Sequence, residues 1–151
     1  MRRSTKVKTS VGGKKCSFGS KVEYRYAEYL EVLKRAGEIK DWWYEPKELK
    51  LTGKRWSYYI PDFIVENNDG TKEIHETKGY FPSEDATLLK RTSEQYAYPI
   101  TLVFAHSPGT NQKAQAQIKR AKRLKREHVL KRIIWDANDA LFKPISGLLR
   151  Y

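Results

Sequence analysis

The sequence predicts an α/β fold: a single domain with a small central mixed β-sheet flanked by helices. Two observations lead there. Apolar residues recur at helical spacing, then in alternation, then at helical spacing again, giving the order helix, three strands, helix, strand, basic helix. The chain has 151 residues, enough for one ordinary core, and its ten Tyr and four Trp carry more aromatic surface than a disordered chain does.

Residues 1–19 are polar, basic and glycine-containing, and read as a flexible basic arm. Ser20 suits a helix N-cap; Val22, Tyr26, Tyr29, Leu30 and Leu33 follow at helical spacing, and Gly37 ends the helix. From Trp42 to Leu51 an alternating aromatic pattern broken by Pro46 suits an edge or bulged strand. Trp56–Glu66 reads as a strand with Pro61 inside it. Asn67-Asn68-Asp69-Gly70 makes a turn, and Thr71–Lys78 returns as the partner strand. Residues 84–96 read as a helix and Ile100–Ala105 as a buried strand. Residues 112–131 read as a helix with a thin stripe of Ala114, Ile118, Ala121 and Leu124. Ile133, Ile134 and Trp135 suit a last strand, and Asp136 the cap of a short final helix.

Charge is unevenly spread. The net charge is +12, but residues 1–21 carry +7, residues 22–111 carry −3 and residues 112–132 carry +8. Clustered positive charge attracts a polyanion. No apolar run is long enough for a membrane span, no secretory h-region follows the basic start, and Cys16 is the only cysteine. No membrane partner and a cytoplasmic location are therefore expected, the host cytoplasm if the chain is phage-encoded.

One constellation could do chemistry. Pro61-Asp62 lies in one predicted strand and Glu76-Thr77-Lys78 in the next, across a turn. Residues two apart on a strand share a face, so Glu76 and Lys78 lie together and Asp62 faces them if the register allows. Converging carboxylates repel unless a cation joins them, and Mg²⁺ takes such oxygen ligands, with the Thr77 backbone carbonyl as a further donor. Glu23 sits in a Ser20-x-x-Glu23 capping box, which alone explains it; Glu28 and Glu31 on the same helix compete with it for any acidic role. His75 points to the opposite face from Glu76, and His106 and His128 have no partner at ligand spacing.

Asp62 followed by Glu76-x-Lys78, with a helical glutamate before them, resembles the PD-(D/E)XK nuclease superfamily. Ser20-x-x-Glu23, Tyr44-Glu45, Tyr59-Ile60-Pro61-Asp62-Phe63, Glu76-Thr77-Lys78-Gly79, Ser83-Glu84-Asp85, Glu94-Gln95 and Ile100-x-x-Val103-Phe104 occur in the order found in phage endonuclease I enzymes, which resolve Holliday junctions. The sequence also looks like a group of small phage proteins with the same Ser-Lys-x-Glu helix and Ile-Pro-Asp-Phe strand. The resemblance covers about residues 17–107. It implies a restriction-endonuclease-like nuclease core over 20–107, with residues 108–151 as a basic helix and extension packed on it. It implies Glu23, Asp62, Glu76 and Lys78 as catalytic residues. It also implies Mg²⁺, or Mn²⁺ in its place, on Asp62, Glu76, Glu23 and the Thr77 carbonyl, and a homodimer that cuts four-way DNA junctions. The spacing of fourteen residues between Asp62 and Glu76 is longer than in those enzymes, and residues 108–151 do not match them.

Two functional classes follow. The first is a metal-dependent, structure-selective endodeoxyribonuclease, with a general or nicking phage endonuclease as its broader form. Arg2, Arg3, Lys6, Lys8, Lys14 and Lys15 of the arm, and Lys119, Arg120, Lys122, Arg123, Lys125 and Arg126 of the basic helix, then hold DNA phosphates. The second is a non-catalytic nucleic-acid-binding protein that stacks bases on Trp42, Trp43 or Trp56. At least one of the adjacent Trp42 and Trp43 should instead pack in the core, because neighbours on a strand point to opposite faces.

Overall fold

Helix α1 (Lys21–Arg35) begins and ends as its sequence dictates. The Ser20 hydroxyl accepts the Glu23 N–H, and Gly37 closes a Schellman turn at φ 78°, its N–H bonded to the Lys34 carbonyl and that of Glu38 to Leu33. The structure is a computed structural model and describes residues 6–53 and 58–146. Before α1 come β1 (Val7–Val11) and β2 (Lys14–Phe18). After it come β3 (Asp41–Tyr44), β4 (Leu49–Lys50), β5 (Tyr58–Tyr59), β6 (Phe63–Glu66), β7 (Lys72–Lys78), α2 (Ser83–Gln95), β8 (Ile100–Phe104), α3 (Gln112–Arg126) and β9 (Leu130–Ile134). A π-helical turn (Asn138–Phe142) and α4 (Lys143–Ile145) close the described chain.

The central sheet has the order β3-β6-β7-β8-β9. The pairs β3–β6 and β6–β7 are antiparallel, joined through loops; β7–β8 and β8–β9 are parallel, because α2 and α3 carry the chain back between them. The expected α/β domain with a mixed central sheet is thus what the chain forms. One sheet face packs Ile74, Leu102 and Phe104 with Phe81, Leu89, Ala121 and Leu124 of the α2–α3 side. The other packs Trp42, Phe63, Val65 and Val103 against Tyr26 and Leu30 of α1, with Phe18 of β2 and Phe142. Strand β8 is buried along its whole length, as the apolar run Ile100–Phe104 predicts for a strand covered on both faces.

Four expectations need correction. First, residues 7–18 are not a flexible arm but an antiparallel ribbon, with Val11 paired to Lys14 across Gly12 and Gly13 at φ 57° and 79°. Phe18 and Val11 are buried against α1, which supplies the apolar partner that a polar-looking segment hides from sequence inspection. Second, the strand expected over Trp56–Glu66 is two strands. Tyr58–Tyr59 pairs with β4 in a separate small sheet and Phe63–Glu66 joins the central one; Pro61, which has no N–H, sits at the break. The segment from Trp42 to Leu51 divides likewise at Glu45-Pro46.

Third, α3 stops at Arg126 rather than at 131. His128 takes the left-handed conformation, φ 64°, in a Schellman turn where glycine is usual, so the sequence carries no visible stop. The last strand accordingly starts at Leu130. Fourth, the boundary at residue 107 does not divide the structure. β9 is a strand of the central sheet, and Trp135 stacks on Phe104 at 5.3 Å.

The ribbon is fixed at its tip. Glu31 of α1 is buried and accepts the Trp42 indole N–H at 3.0 Å and Arg35 Nε at 3.1 Å. A Cβ added to Gly12 would collide with that carboxylate. Gly12→Ala should therefore cost roughly 1–3 kcal/mol, from the left-handed backbone and the collision together. Urea denaturation measures it; an unchanged midpoint would mean the ribbon is not held there.

Candidate functional site

The β6–β7 register sets Phe63 opposite His75, so Asp62 falls opposite Glu76, one residue beyond the paired part of β6. Side chains replace the ladder there. The Asp62 N–H donates to Glu76 Oε1 at 2.7 Å, while the Thr77 N–H and hydroxyl donate to Asp62 Oδ2 at 2.9 and 3.0 Å. Asp62 Oδ1 keeps no protein hydrogen bond among the described residues. The Thr77 carbonyl shares the orientation of its N–H and so lies on the Asp62 side of β7. Lys78 Nζ lies 3.6 Å from Glu76 Oε2 and 2.9 Å from Asp85 Oδ2. Asp85 stands in the first turn of α2, where a helix N-terminus favours negative charge.

Glu23 is both cap and cluster member. Its Oε2 accepts the Ser20 hydroxyl at 2.8 Å and its Oε1 accepts the Tyr44 hydroxyl at 3.1 Å, while Tyr44 in turn accepts the Gly19 N–H. Glu45 follows, at a φ of 44° that few non-glycine residues adopt. Its N–H donates to the Asp62 carbonyl at 2.8 Å. Carboxylate oxygens of Glu23, Glu45 and Asp62 lie within 4.8 Å of one another. The ends of β3 and β7 and the starts of β6, α1 and α2 therefore all deliver a carboxylate or an ammonium to one end of the sheet.

These acids resist ionising together. Burial raises the Asp62 pKa well above the ordinary range, the Glu76 and Glu23 carboxylates raise it further, and the Thr77 bonds only partly offset this. Burial likewise raises Glu76 against the pull of Lys78, and burial with Glu23 raises Glu45. Burial works against the Lys78 ammonium, but Glu76 and Asp85 outweigh it and raise its pKa, so Lys78 stays protonated. Tyr59 is buried beside the cluster; burial first and the neighbouring Glu76 carboxylate second raise its pKa. Several oxygen donors with unfavourable mutual charge fit a hard divalent cation.

The structure thus brings together Glu23, Asp62, Glu76, the Thr77 carbonyl and Lys78. Of the competing acids on α1, Glu28 accepts the Tyr24 hydroxyl and Glu31 is engaged by Trp42 and Arg35, which leaves Glu23 for the cluster. Sequence reasoning does not place Glu45 and Asp85 among the site residues. Their signal lies in the Tyr44-Glu45 and Ser83-Glu84-Asp85 segments, but no spacing rule leads there from Asp62. His75 points away, as expected, into a buried network with the Tyr26 hydroxyl and Glu73, which also holds Lys131 at 2.6 Å and Asn67 at 2.9 Å.

The basic residues divide. Arg2 and Arg3 lie outside the described residues. Lys6, Lys8 and Lys15 are exposed, and strand alternation puts Lys8 and Lys15 with Ser10 and Ser17 on the outer face of the ribbon. Lys14 does not join them: it pairs with Asp41 at 3.3 Å and lies over the Trp42 and Trp43 rings. On α3, Lys119, Lys122, Arg123, Lys125 and Arg126 are exposed. Arg120 instead donates to the Phe81 carbonyl at 2.7 Å, and buried Gln117 accepts the Phe81 N–H, so α3 braces the loop after Lys78. Gln117 thereby takes the stripe position expected of the less buried Ile118. Among the stacking candidates Trp42 is fully buried, Trp43 has the Lys14 and Lys72 ammonium groups over its ring, and Trp56 lies outside the described residues.

Residues 3–105 match a family described as protein of unknown function (DUF1064). No curated protein matches the chain. The family match takes in every member of the acidic cluster and ends before α3.

A carboxylate whose folded-state pKa is raised weakens the fold where it is ionised, above the folded pKa, and the penalty fades as pH falls into the ordinary carboxylate range. In EDTA, Asp62→Asn should therefore raise the melting temperature by about 2–4 °C near neutral pH, and the gain should vanish near the ordinary carboxylate pKa of about 3.9. Mg²⁺ should raise the wild-type melting temperature more than that of the variant. A variant that melts lower than wild type in EDTA at neutral pH would show that Asp62 repels nothing.

Proposed function

The chain belongs to the DUF1064 family, and we propose that it is a metal-dependent, structure-selective endodeoxyribonuclease of the PD-(D/E)XK kind, with four-way branched DNA as its substrate and a homodimer as its working form. One observation carries the reading. Asp62 and Glu76 are pinned opposite each other by main-chain donors, with Lys78 beside Glu76 and two further carboxylates converging on Asp62. Carboxylates crowded in this way weaken the fold unless a cation joins them.

Asp62 through Oδ1, Glu76, Glu23, Glu45 and the Thr77 carbonyl are the groups that would hold Mg²⁺ or Mn²⁺. A bound ion of this kind lowers the pKa of a coordinated water and offsets the charge of a phosphate. The chain's own groups do the rest. Asp62 and Glu76 fix the donor geometry because each is held by a main-chain N–H. Lys78, kept protonated, cannot take a proton from water; it donates to a water or to a phosphate oxygen and stabilises negative charge there. Asp85 keeps the Lys78 ammonium aimed into the site. The exposed lysines of the ribbon and the exposed face of α3 supply phosphate contacts, which hold DNA without reading its sequence.

The test compares labelled linear duplex, single strand and four-way junction, with Mg²⁺ or EDTA. Junction cleavage should need the metal and fall on the order of 100-fold or more in Asp62→Ala and Glu76→Ala, with binding retained. Paired symmetric nicks in the junction support resolution; equal cutting of linear duplex reduces the reading to a general nuclease; metal-indifferent binding without cleavage makes the protein a binding module. Separately, Lys8→Gln with Lys15→Gln should lower the slope of log affinity against log salt by about 0.9 for each phosphate no longer neutralised. An unchanged slope would take the ribbon off the DNA.

A further inference from the structure

Three large apolar side chains are exposed among the described residues: Tyr58 at 59%, Ile60 at 44% and Tyr80 at 61%. Single apolar groups on a surface are ordinary. These three are not scattered. Tyr58 and Ile60 flank the buried Tyr59, just before Pro61-Asp62, and Tyr80 follows Lys78 across Gly79. Tyr59 is turned inward beside Glu76, which leaves its two neighbours facing out. Neither the Tyr58 nor the Tyr80 hydroxyl has a hydrogen-bond partner among the described residues. Phe81, next to Tyr80, is anchored by Gln117 and Arg120 of α3, so Tyr80 stands on a braced loop.

A phosphodiester held at Asp62 and Glu76 has a sugar and a base on each side. In a continuous duplex those bases are stacked, so their flat faces are hidden and a protein meets the sugar-phosphate backbone and the groove edges of the bases. Exposed tyrosine rings would then meet a charged, hydrated backbone and gain nothing. A base that has left the stack offers a flat π-face, and aromatic stacking takes any base with little regard to sequence. We propose that Tyr58, Ile60 and Tyr80 form a rim that takes up unstacked nucleobases flanking the scissile phosphate, so that the protein selects DNA at a branch, bulge or flap over continuous duplex. The inference rests on the reading of the acidic cluster as a phosphodiester site and adds the chemical basis of its selectivity.

The test measures binding rather than cleavage. Full-length protein with Ca²⁺ in place of Mg²⁺ is titrated onto a continuous duplex and onto the same duplex carrying a short bulge, with 2-aminopurine beside the bulge. Wild type should bind the bulged DNA at least tenfold more tightly and quench the 2-aminopurine fluorescence. Tyr58→Ala and Tyr80→Ala should bring the affinity ratio towards one and abolish the quench, while Tyr58→Phe and Tyr80→Phe keep both; melting curves establish that each variant is folded. Equal wild-type affinity for the two DNAs, or a ratio that survives when Tyr58→Ala and Tyr80→Ala are combined in one folded protein, overturns the proposal. So does a Tyr58→Ala variant that loses self-association but keeps the preference, since the rim would then be covered by a second copy. A protein that shows the preference and the quench yet cuts nothing in Mg²⁺ leaves the rim standing and sinks the nuclease reading. Cleavage without preference does the reverse.

Discussion

The reciprocal clamp between Asp62 and the Glu76-Thr77 pair is the constraint on which the rest depends. Each strand there gives a main-chain N–H to a carboxylate of the other. The clamp stands where Pro61, which has no N–H, ends the ladder, and the two carboxylates accept the N–H groups of Asp62 and Thr77 there. The same bonds hold both carboxylates in a buried place, and burial first, with the neighbouring acids second, disfavours their ionisation. The end of the strand and the acidic cluster are thus set by one pair of interactions.

Strand β7 divides the molecule's polar chemistry between two faces. Glu76 and Lys78 meet the α2 side at the end of the sheet. Glu73 and His75 face α1 and form a closed network, in which His75, Asn67 and Lys131 hold the Glu73 carboxyl far below its ordinary pKa despite partial burial. That network pairs each of its members, whereas the Glu76 side is crowded with carboxylates. The period of two in a strand keeps the paired cluster and the carboxylate-crowded one a single residue apart without mixing them.

The mixed sheet, its main helices and, given a suitable register, the approach of Asp62 to Glu76 and Lys78 are legible in the sequence because alternation, helical spacing and the Asn-Asp-Gly turn are local signals. The capping role of Glu23 is legible for the same reason. Its choice over Glu28 and Glu31 is not, since that depends on Tyr44, Tyr24 and Trp42, each brought up by tertiary packing. Glu45 and Asp85 reach the cluster from separate elements, so no spacing could announce them. The ribbon reads as an arm because its inward residues, Val7, Thr9, Cys16 and Phe18, look weakly apolar until α1 covers them. The end of α3 escapes sequence inspection because a histidine occupies the left-handed position that glycine usually marks.

The ribbon has a thermodynamic consequence of its own. A flexible arm that orders on a polyanion loses about 1–2 kcal/mol of backbone conformational entropy for each residue it fixes, and that loss weakens its affinity. Residues 7–18 have already lost it on folding, through pairing with each other, the Gly12 turn set against Glu31 and the seating of Lys14 over two indole rings. Their exposed lysines are therefore presented at fixed spacing by a rigid element, and whatever anion meets them finds a preorganised surface instead of a chain still to be ordered.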